Sequence, residues 1–396
     1  MEHALMNISR RKTRVVRVGD IGIGGDNPVR VQTMTNTPTS DVEATARQVV
    51  SCARAGAELV RITTQSPQHA RLLADIRKRV IELLGRNVPL IADVHFVPAA
   101  AFEALKTADK VRINPGNFFD SKVFKNKEYT PEDYREELDR IEKGLAPFIE
   151  EAKKLKKPLR IGANHGSLSD RIMSKYGDTP EGMVESAMEY LRVFRDHAFE
   201  NLVVAMKASD PKVMIAATRL LVQAMDEEGM DYPLHLGVTE AGNADEGRVK
   251  SALGIGTLLL EGIGDTVRVS LTEPPEAEIP VAYAILQSTG VRITRTEFIS
   301  CPSCGRTLYD IEKTVNIIKQ RMGHLKGVRI AVMGCIVNGL GEMADADFGY
   351  VGGSPGKVNL YVKKTLVKHG VPQENAVDEL IALIKQHGKW VDAPIV

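Results

Sequence analysis

Short apolar runs alternate with amphipathic segments along most of the chain. The runs are rich in β-branched residues and lie at 29–34, 59–62, 90–94, 110–113, 159–162, 202–205, 234–237 and 266–269. Between them, apolar residues recur at helical spacing in segments such as 40–55, 68–84, 179–196 and 210–225. This alternation predicts buried strands, each followed by a helix that covers the sheet.

Repeated strand–helix units of this kind predict an α/β fold, a (β/α)8 TIM barrel over residues 1–288. An open, doubly wound sheet is the alternative. Its fingerprint is missing, because no predicted strand is followed by a complete GxGxxG motif, and the GxG at 254–256 lies in an apolar helical or loop stretch. Short runs at 14–18 and 21–25 predict a hairpin that covers one end of the barrel.

Residues 289–396 predict a smaller α+β domain. Its predicted strands and helices lie at 297–300, 308–322, 328–333, 347–351, 358–362 and 375–387. Cys301 and Cys304 form a CxxC motif after the first of these strands, and Cys335 follows the second in a Gly-rich loop. Small residues let the backbone approach a metal closely, so the two loops predict a metal centre.

The three thiols fit an iron–sulfur cluster better than zinc. Structural zinc takes four closed ligands, whereas an iron–sulfur cluster can keep one iron chemically available. Glu342 is the acidic side chain in the Gly-rich loop, and its position alone indicates no more than a surface or helix-entry carboxylate. Cys52 lies within an amphipathic segment and is predicted to be a small core residue.

Composition and charge exclude several classes of partner. With 52 basic and 51 acidic residues, the net charge of the 396-residue chain is +1, so no overall field favours nucleic acid or an anionic membrane. Aromatic residues make up 5%, too few to suggest a platform for stacked bases. Neither a signal peptide nor a transmembrane segment is expected, and clustered thiols indicate a reducing compartment, so we expect a cytoplasmic enzyme.

Basic residues lie at the ends of five predicted barrel strands: Arg61, Arg112, Arg160, Lys207 and Arg268. Any one of them could simply be solvated or paired with a carboxylate. Together they would meet at the mouth of a barrel, where active groups lie, and converging cations require an anion. Because arginine binds phosphate with two parallel hydrogen bonds, the mouth is predicted to bind a polyanionic small molecule such as a diphosphate.

Seven sequence motifs carry a resemblance to a known family. They are Gln32–Thr37, Arg112–Asn117, Arg160–Ser167, Leu236–Gly242, Gly264–Ser270, Cys301–Arg306 and Gly334–Gly339. In this order they resemble the 4-hydroxy-3-methylbut-2-en-1-yl diphosphate synthase family of the non-mevalonate isoprenoid pathway, in its bacterial two-domain form. The resemblance covers nearly the whole chain. One departure is Leu340, where the family pattern has proline, and it raises the question of how firmly the segment holds Glu342.

The resemblance implies reductive ring opening and dehydration of 2-C-methyl-D-erythritol 2,4-cyclodiphosphate to 4-hydroxy-3-methylbut-2-en-1-yl diphosphate. It implies a 4Fe-4S cluster held by Cys301, Cys304, Cys335 and Glu342, with flavodoxin or ferredoxin as electron donor. Glu240 and Glu342 are the implied catalytic residues. Substrate contacts are implied for Arg61, Asp93, His95, Arg112, Asn114, Arg160, Asn164, Lys207, Thr239, Ser270 and Asn338.

Substrate at the barrel mouth must reach the cluster, so the cluster domain would cap either its own barrel or that of a partner chain. The resemblance favours a head-to-tail homodimer.

Two rival functions stay open at this stage. One is a dihydropteroate-synthase-like transferase with a structural zinc domain, which would be colourless. The other is a non-catalytic iron–sulfur redox protein, for which a cationic barrel mouth would have no purpose.

Overall fold

The computed structural model describes residues 9–120 and 129–393, without the side chains of Asn338 and Leu340. The chain divides into two compact units, Met1–Arg292 and Ile293–Val396. Among the described helices, none has the length and apolar character that a membrane span requires.

The structure describes ten strands in the first unit. The hairpin strands are β1 (Val16–Val18) and β2 (Ile21–Ile23), and the barrel strands are β3 (Arg30–Met34), β4 (Leu59–Thr63), β5 (Leu90–Asp93), β6 (Lys110–Ile113), β7 (Leu159–Asn164), β8 (Leu202–Lys207), β9 (His235–Leu236) and β10 (Thr266–Val267). The barrel strands pair in parallel in the order β8-β7-β6-β5-β4-β3-β10-β9. A bridge between Val204 and Leu234 joins the two ends of this sheet. The predicted (β/α)8 barrel is therefore confirmed.

Nine helices are described in this unit, and most of them cover the barrel. They are α1 (Val42–Arg54), α2 (Pro67–Leu84), α3 (Pro98–Thr107), α4 (Pro131–Lys154), α5 (Asp170–Tyr176), α6 (Pro180–Asp196), α7 (Pro211–Glu227), α8 (Ala244–Leu260) and α9 (Glu278–Ser288). Side chains that cap the first turn mark where several of these helices begin. Asp41 caps α1 by accepting from the Ala44 N–H, and Thr179 caps α6 by accepting from the Gly182 N–H.

The predicted hairpin packs against the amino-terminal end of the barrel. Val16, Val18 and Ile23 are buried against three inward-facing residues of the barrel floor, which are Leu59, Ile91 and Val203. Among the described residues, hydrophobic packing therefore covers this end, and the buried polar side chains of the interior lie toward the carboxyl ends of the strands.

The described residues of the second unit form a mixed five-stranded sheet and three helices. Its elements are β11 (Glu297–Ser300), α10 (Ile311–Met322), β12 (Arg329–Met333), α11 (Ile336–Glu342), β13 (Phe348–Ser354), β14 (Lys357–Val362), β15 (Thr365–Pro372) and α12 (Gln373–Gln386). The strand order is β11-β12-β13-β14-β15; β11, β12 and β13 are parallel, while β14 and β15 join antiparallel.

The Gly-rich segment after Cys335 is a short helix rather than the predicted loop. Cys335 occupies the N-cap position of α11, and the Met343 N–H bonds back to the Gly339 carbonyl at 3.0 Å. Gly339 lets this helix lie close to the sheet, because a Cβ there would come within 3.2 Å of Val351. Gly339 thus serves close packing, and the sequence pattern alone did not distinguish this role from a loop.

Candidate active site: a basic barrel mouth and three cysteines

Side chains at the carboxyl ends of β4 to β8 converge in the barrel interior. Parallel register places Arg112 beside both Asp93 and Arg160, and Asn164 beside Lys207. Asp93, Arg112, Arg160 and Lys207 are all buried, as is Arg61 on β4. Five of the residues predicted to bind substrate therefore lie on adjacent strands of one enclosed surface.

Asp93 is the carboxylate that bridges two of these arginines. Its Oδ1 accepts from Arg112 Nη1 at 3.1 Å and lies 3.6 Å from Arg61 Nη1. Burial alone would raise the pKa of Asp93, but the charges of Arg61 and Arg112 outweigh it and hold that pKa below its ordinary value. Asp93 is thus ionised and orients both guanidinium groups.

His95 is a neutral imidazole at the edge of this network. Burial, followed by the charge of Arg112, lowers the pKa of His95 to about 4. Arg112 Nη1 contacts Nε2, so the ring proton belongs on Nδ1, which lies 3.2 Å from the Asn117 amide. If the Asn117 amide is oriented with Oδ1 toward the ring, Oδ1 accepts a hydrogen bond from Nδ1–H. This orientation also gives the buried Oδ1 of Asn117 a hydrogen-bond partner. Asn117 lies in a motif noted in the sequence, but it was not among the predicted site residues.

Arg160 and Lys207 have no hydrogen-bond partner for their terminal nitrogens within the described residues. Burial and then Arg61 lower the pKa of Arg160 well below its ordinary value, and burial and then Arg268 do the same for Lys207. Buried cations without partners are unfavourable unless an anion compensates them. Gly237 leaves room for Lys207, since a Cβ there would lie 2.5 Å from its Nζ.

Two asparagines lie where the loops after β6 and β7 interlock. Asn114 Nδ2 donates to Ser167 Oγ at 2.7 Å, and Arg112 Nη2 is 3.4 Å from Asn164 Oδ1. Only glycine fits at 116, because a Cβ there would lie 1.9 Å from the Ser167 carbonyl oxygen. The loops therefore fix both predicted asparagines relative to Arg112.

The ends of β9 and β10 contribute the remaining predicted residues of the barrel. Thr239 is half-buried, and Glu240 is exposed with a φ of +53°, a left-handed conformation that is uncommon outside glycine. Ser270 is 9% exposed, and its Oγ has no partner among the described residues. Arg268 was predicted among the cations of the mouth, although the resemblance implied no substrate contact for it, and its Nη2 lies 3.1 Å from Glu278 Oε1.

The cysteine ligands predicted for the cluster lie in the second unit. Cys301 and Cys335 follow adjacent parallel strands, and the Gly334 N–H donates to Cys301 Sγ at 3.1 Å. Cys304 is exposed, and the backbone N–H of Arg306 is the main cause that lowers its pKa. All three thiols are free of disulfides, whereas Cys52 is buried, with its pKa raised to about 12, chiefly by burial.

The donor set fits an iron–sulfur cluster. In the described part of the chain, no three His, Cys, Asp or Glu side chains converge tightly enough to hold a single metal ion. A 4Fe-4S cluster instead takes each ligand at a separate iron, and its sulfurs accept N–H bonds of the kind that Cys301 and Cys304 already receive. Glu342 is exposed at the last residue of α11. The side chain of Asn338, predicted to contact substrate, lies outside the described residues, as does that of Leu340.

Comparison with known proteins matches the two units of the chain to two family models. The family model described as the GcpE TIM-barrel domain matches residues 13–283, and that of the GcpE protein C-terminal domain matches residues 297–386. Two curated relatives, from Gloeothece citriformis and Synechococcus elongatus, are each 52% identical over 387 residues, which is 97% of this chain and 95% of theirs. Both are named 4-hydroxy-3-methylbut-2-en-1-yl diphosphate synthase (ferredoxin).

Two solved structures show distant likeness to this chain. A sialic acid synthetase from Leptospira borgpetersenii is 10% identical with a TM-score of 0.45, covering 78% of this chain and 96% of its own. The dihydropteroate synthase of Yersinia pestis is 11% identical with a TM-score of 0.43, covering 70% of this chain and 98% of its own. Likeness at this level supports no argument about function. The sequence matches are decisive, and they show that this chain belongs to the GcpE family, with both of the family's domains present.

Proposed function

We propose that the chain is a 4-hydroxy-3-methylbut-2-en-1-yl diphosphate synthase that converts 2-C-methyl-D-erythritol 2,4-cyclodiphosphate to the linear allylic diphosphate. The names of relatives that match nearly the whole chain support this activity. The structural observation that carries it is the group of buried, unpartnered cations at the barrel mouth. Such a group requires an anionic ligand, and a diphosphate has the charge and oxygen atoms to fill it.

The reaction consumes two electrons and one proton and releases water. The cyclic substrate is a dianion and the linear product a trianion, so the diphosphate gains negative charge as the ring opens. When bound, the 4Fe-4S cluster supplies the electrons one at a time. We propose Cys301, Cys304, Cys335 and Glu342 as its ligands and ferredoxin as the electron donor, which the relatives' name supports.

The cations of the mouth bind and neutralise the diphosphate. Arg112 and Arg160 supply positive charge, Lys207 supplies it in its protonated form, and Arg61 joins them through its position beside Asp93. Because Asp93 fixes two of these guanidinium groups before substrate arrives, they need little reorganisation as charge develops. These preoriented cations therefore stabilise the product, which carries more negative charge than the substrate.

Polar groups around the mouth position the substrate and move the proton. Neutral His95 and the amides of Asn114 and Asn164 are suited to hydrogen-bonding substrate hydroxyls, and we assign the same role to Thr239 and Ser270. We assign to Glu240 the donation of a proton to the departing hydroxyl, because it is a carboxyl group on an exposed loop at the mouth. Asn338 is proposed as a further substrate contact from the resemblance.

The chain is also proposed to act as a homodimer in the cytoplasm. The resemblance supports the dimer, and a reducing compartment suits three thiols that must stay free to bind iron. A solution mass measured on the anaerobically purified protein tests the dimer directly. A monomer with full turnover would contradict it.

Anaerobic reconstitution followed by a turnover assay tests the proposed activity. The protein should show the visible absorption of an iron–sulfur cluster and convert the cyclic diphosphate with reduced ferredoxin. Glu240→Gln should lose most of the turnover while still binding substrate, and Asp245→Asn, a change to an exposed acidic residue at the start of α8, serves as its control. Zinc in place of iron would favour the transferase rival, and a cluster without turnover would favour the redox-carrier rival; the family match favours neither.

A further inference from the structure

Lys110 lies inside the barrel, one layer below the mouth. It alternates on β6 with Arg112, while the residues on either side, Val111 and Ile113, pack in the core that faces the helices. Lys110 and Arg112 therefore point to the same, inner side of the strand. Lys110 is 0% exposed, so its amine is enclosed by the barrel.

Among the described residues, the floor beneath Lys110 is apolar and supplies no compensating charge. Lys110 pairs in register with Ile91, which is one of the apolar residues of the barrel floor that pack against the hairpin. Within the described residues, its Nζ has no hydrogen-bond partner. Gln32 and His235, which point inward by the same alternation, also leave buried side-chain atoms unpartnered. The polar surroundings of this amine therefore lie toward the mouth.

The charged groups facing Lys110 are mainly positive. Arg61 faces it from β4 and Arg160 from β7, with His235 on β9, and beyond them toward the mouth lie Arg112, Lys207 and Arg268. The inward-facing carboxylate of β5 is Asp93, which Arg61 and Arg112 already share. Burial, followed by the charges of Arg160 and Arg61, holds the pKa of Lys110 well below its ordinary value. Burial and these charges therefore favour the neutral form of the amine while the mouth is empty.

We propose that Lys110 binds a proton when a diphosphate group occupies the barrel mouth and releases it when the group leaves, so that it compensates the charge of the ligand from beneath. The proton comes from solvent through the mouth, and no electron is transferred. The ligand's negative charge offsets the surrounding positive charges that keep the amine neutral, so the protonated amine becomes the favoured form. This inference rests on the proposed function, because it requires a diphosphate at this site.

Such a residue suits a reaction in which the diphosphate becomes more negative. A permanently charged lysine would add to the repulsion among the arginines in the empty protein, whereas an amine that charges only on binding avoids that cost. Lys110 acts on the ligand through the electrostatic field and need not touch the reacting atoms. It is therefore a charge-compensating residue and not a catalytic one.

Calorimetric titration with inorganic diphosphate tests the proposal on the full-length, anaerobically purified protein. Titrations at one pH, in buffers with different ionisation enthalpies, give the number of protons taken up per diphosphate bound. Lys110→Met should take up about one proton fewer than the wild type, and its Kd at neutral pH should rise by about tenfold. Lys106→Met, which changes an exposed lysine paired with Glu103, should leave both quantities unchanged.

The outcomes separate this inference from the function on which it rests. If the wild type does not bind diphosphate, the proposed anion site fails and the role of Lys110 falls with it. If the wild type binds diphosphate and Lys110→Met shows the same proton uptake, only the role of Lys110 is wrong. Lys110→Gln provides a second neutral side chain in case the methionine variant does not fold, and an unchanged proton uptake in it would likewise overturn the inference.

Discussion

The Asp93 carboxylate accepts a hydrogen bond from Arg112 Nη1 at 3.1 Å, and the two side chains are only 8% and 2% exposed. This contact joins neighbouring strands β5 and β6 at the level where the mouth begins. Because Asp93 also lies 3.6 Å from Arg61, one buried carboxylate orients guanidinium groups from both sides. The arginines that are proposed to bind diphosphate thus depend on Asp93 for their arrangement in the empty barrel.

Asp93→Asn should lower the free energy of unfolding by about 3 kcal/mol at pH 7, because it leaves buried arginines uncompensated. The folded state holds the pKa of Asp93 below its ordinary value, so this contribution is present above the unfolded pKa of about 4 and is lost as pH falls below it. Urea denaturation of both proteins at several pH values measures the difference.

Asp226→Asn is the matched control for Asp93→Asn. Asp226 pairs with Arg11 at the surface, where its side chain is 56% exposed, so its loss should change the unfolding free energy by less than about 1 kcal/mol. Equal effects of the two substitutions at pH 7 would show that the Asp93 network contributes nothing beyond an ordinary surface pair.

His95 should make the fold less stable as pH falls from about 6.5 toward 4. Its pKa is lowered to about 4 in the folded protein, while the unfolded chain binds the proton near pH 6.5, so acidification favours unfolding in this window. His95→Gln should remove part of this pH dependence, as measured by urea midpoints at pH 7 and pH 5.

His197→Gln provides the comparison, because His197 is a half-buried histidine at the end of α6, outside the barrel mouth. Direct observation of the His95 ring by nuclear magnetic resonance gives an independent measurement. A ring that titrates near pH 6.5 in the folded protein would contradict the neutral imidazole assigned here.

The sequence predicted the barrel because strand and helix patterns differ in period and the buried strands read as continuous apolar runs. It did not predict the edge strand β15, where exposed and half-buried residues such as Leu366 and Lys368 give no apolar run. It also placed strands at 234–237 and 266–269, whereas β9 and β10 contain two residues each. Short strands give little periodic signal, so their ends depend on tertiary contacts.

The sequence identified the residues of the site more readily than it predicted which of them contact each other. Strand-end positions and motifs identified Arg61, Arg112 and Arg160, because cations recurred at equivalent places along the chain. The interlocking of Gly116 with the Ser167 carbonyl and the enclosure of Lys110 depend on backbone approach and on what seals the barrel floor. Neither leaves a periodic pattern in the sequence, so both require coordinates.

Gly237→Ala should weaken diphosphate binding by about tenfold and lower the unfolding free energy by roughly 1–3 kcal/mol. A Cβ at this position would lie 2.5 Å from both Lys207 Nζ and the Arg268 carbonyl oxygen, so the side chain of Lys207 and the backbone must both move. Calorimetric titration with inorganic diphosphate and urea denaturation measure the two effects.

Gly256→Ala is the control for Gly237→Ala. It lies within α8, and a Cβ there would be 3.8 Å from Thr289, an ordinary contact distance. Alanine favours helix more than glycine does, so this variant should bind diphosphate normally and be at least as stable as the wild type. Normal binding by Gly237→Ala would show that Lys207 does not need the space that the glycine leaves.

Alkylation of the metal-free protein should separate the four cysteines by rate. Cys304 should react first with iodoacetamide because it is exposed and accepts backbone N–H bonds that stabilise its thiolate. Cys52 is buried with a pKa of about 12, so it should stay unmodified until the protein unfolds, and it serves as the internal control. Peptide mass spectrometry over a time course gives each rate.

Reconstitution with iron and sulfide should then protect Cys301, Cys304 and Cys335 together, because each thiolate would be bound to iron. Protection of all three, with Cys52 unchanged, distinguishes cluster ligation from a conformational change that merely buries one loop. Cys304 is the most informative of the three, because it is exposed in the metal-free chain, whereas Cys301 and Cys335 are half-buried. Continued rapid alkylation of Cys304 in iron-loaded protein would remove it from the ligand set.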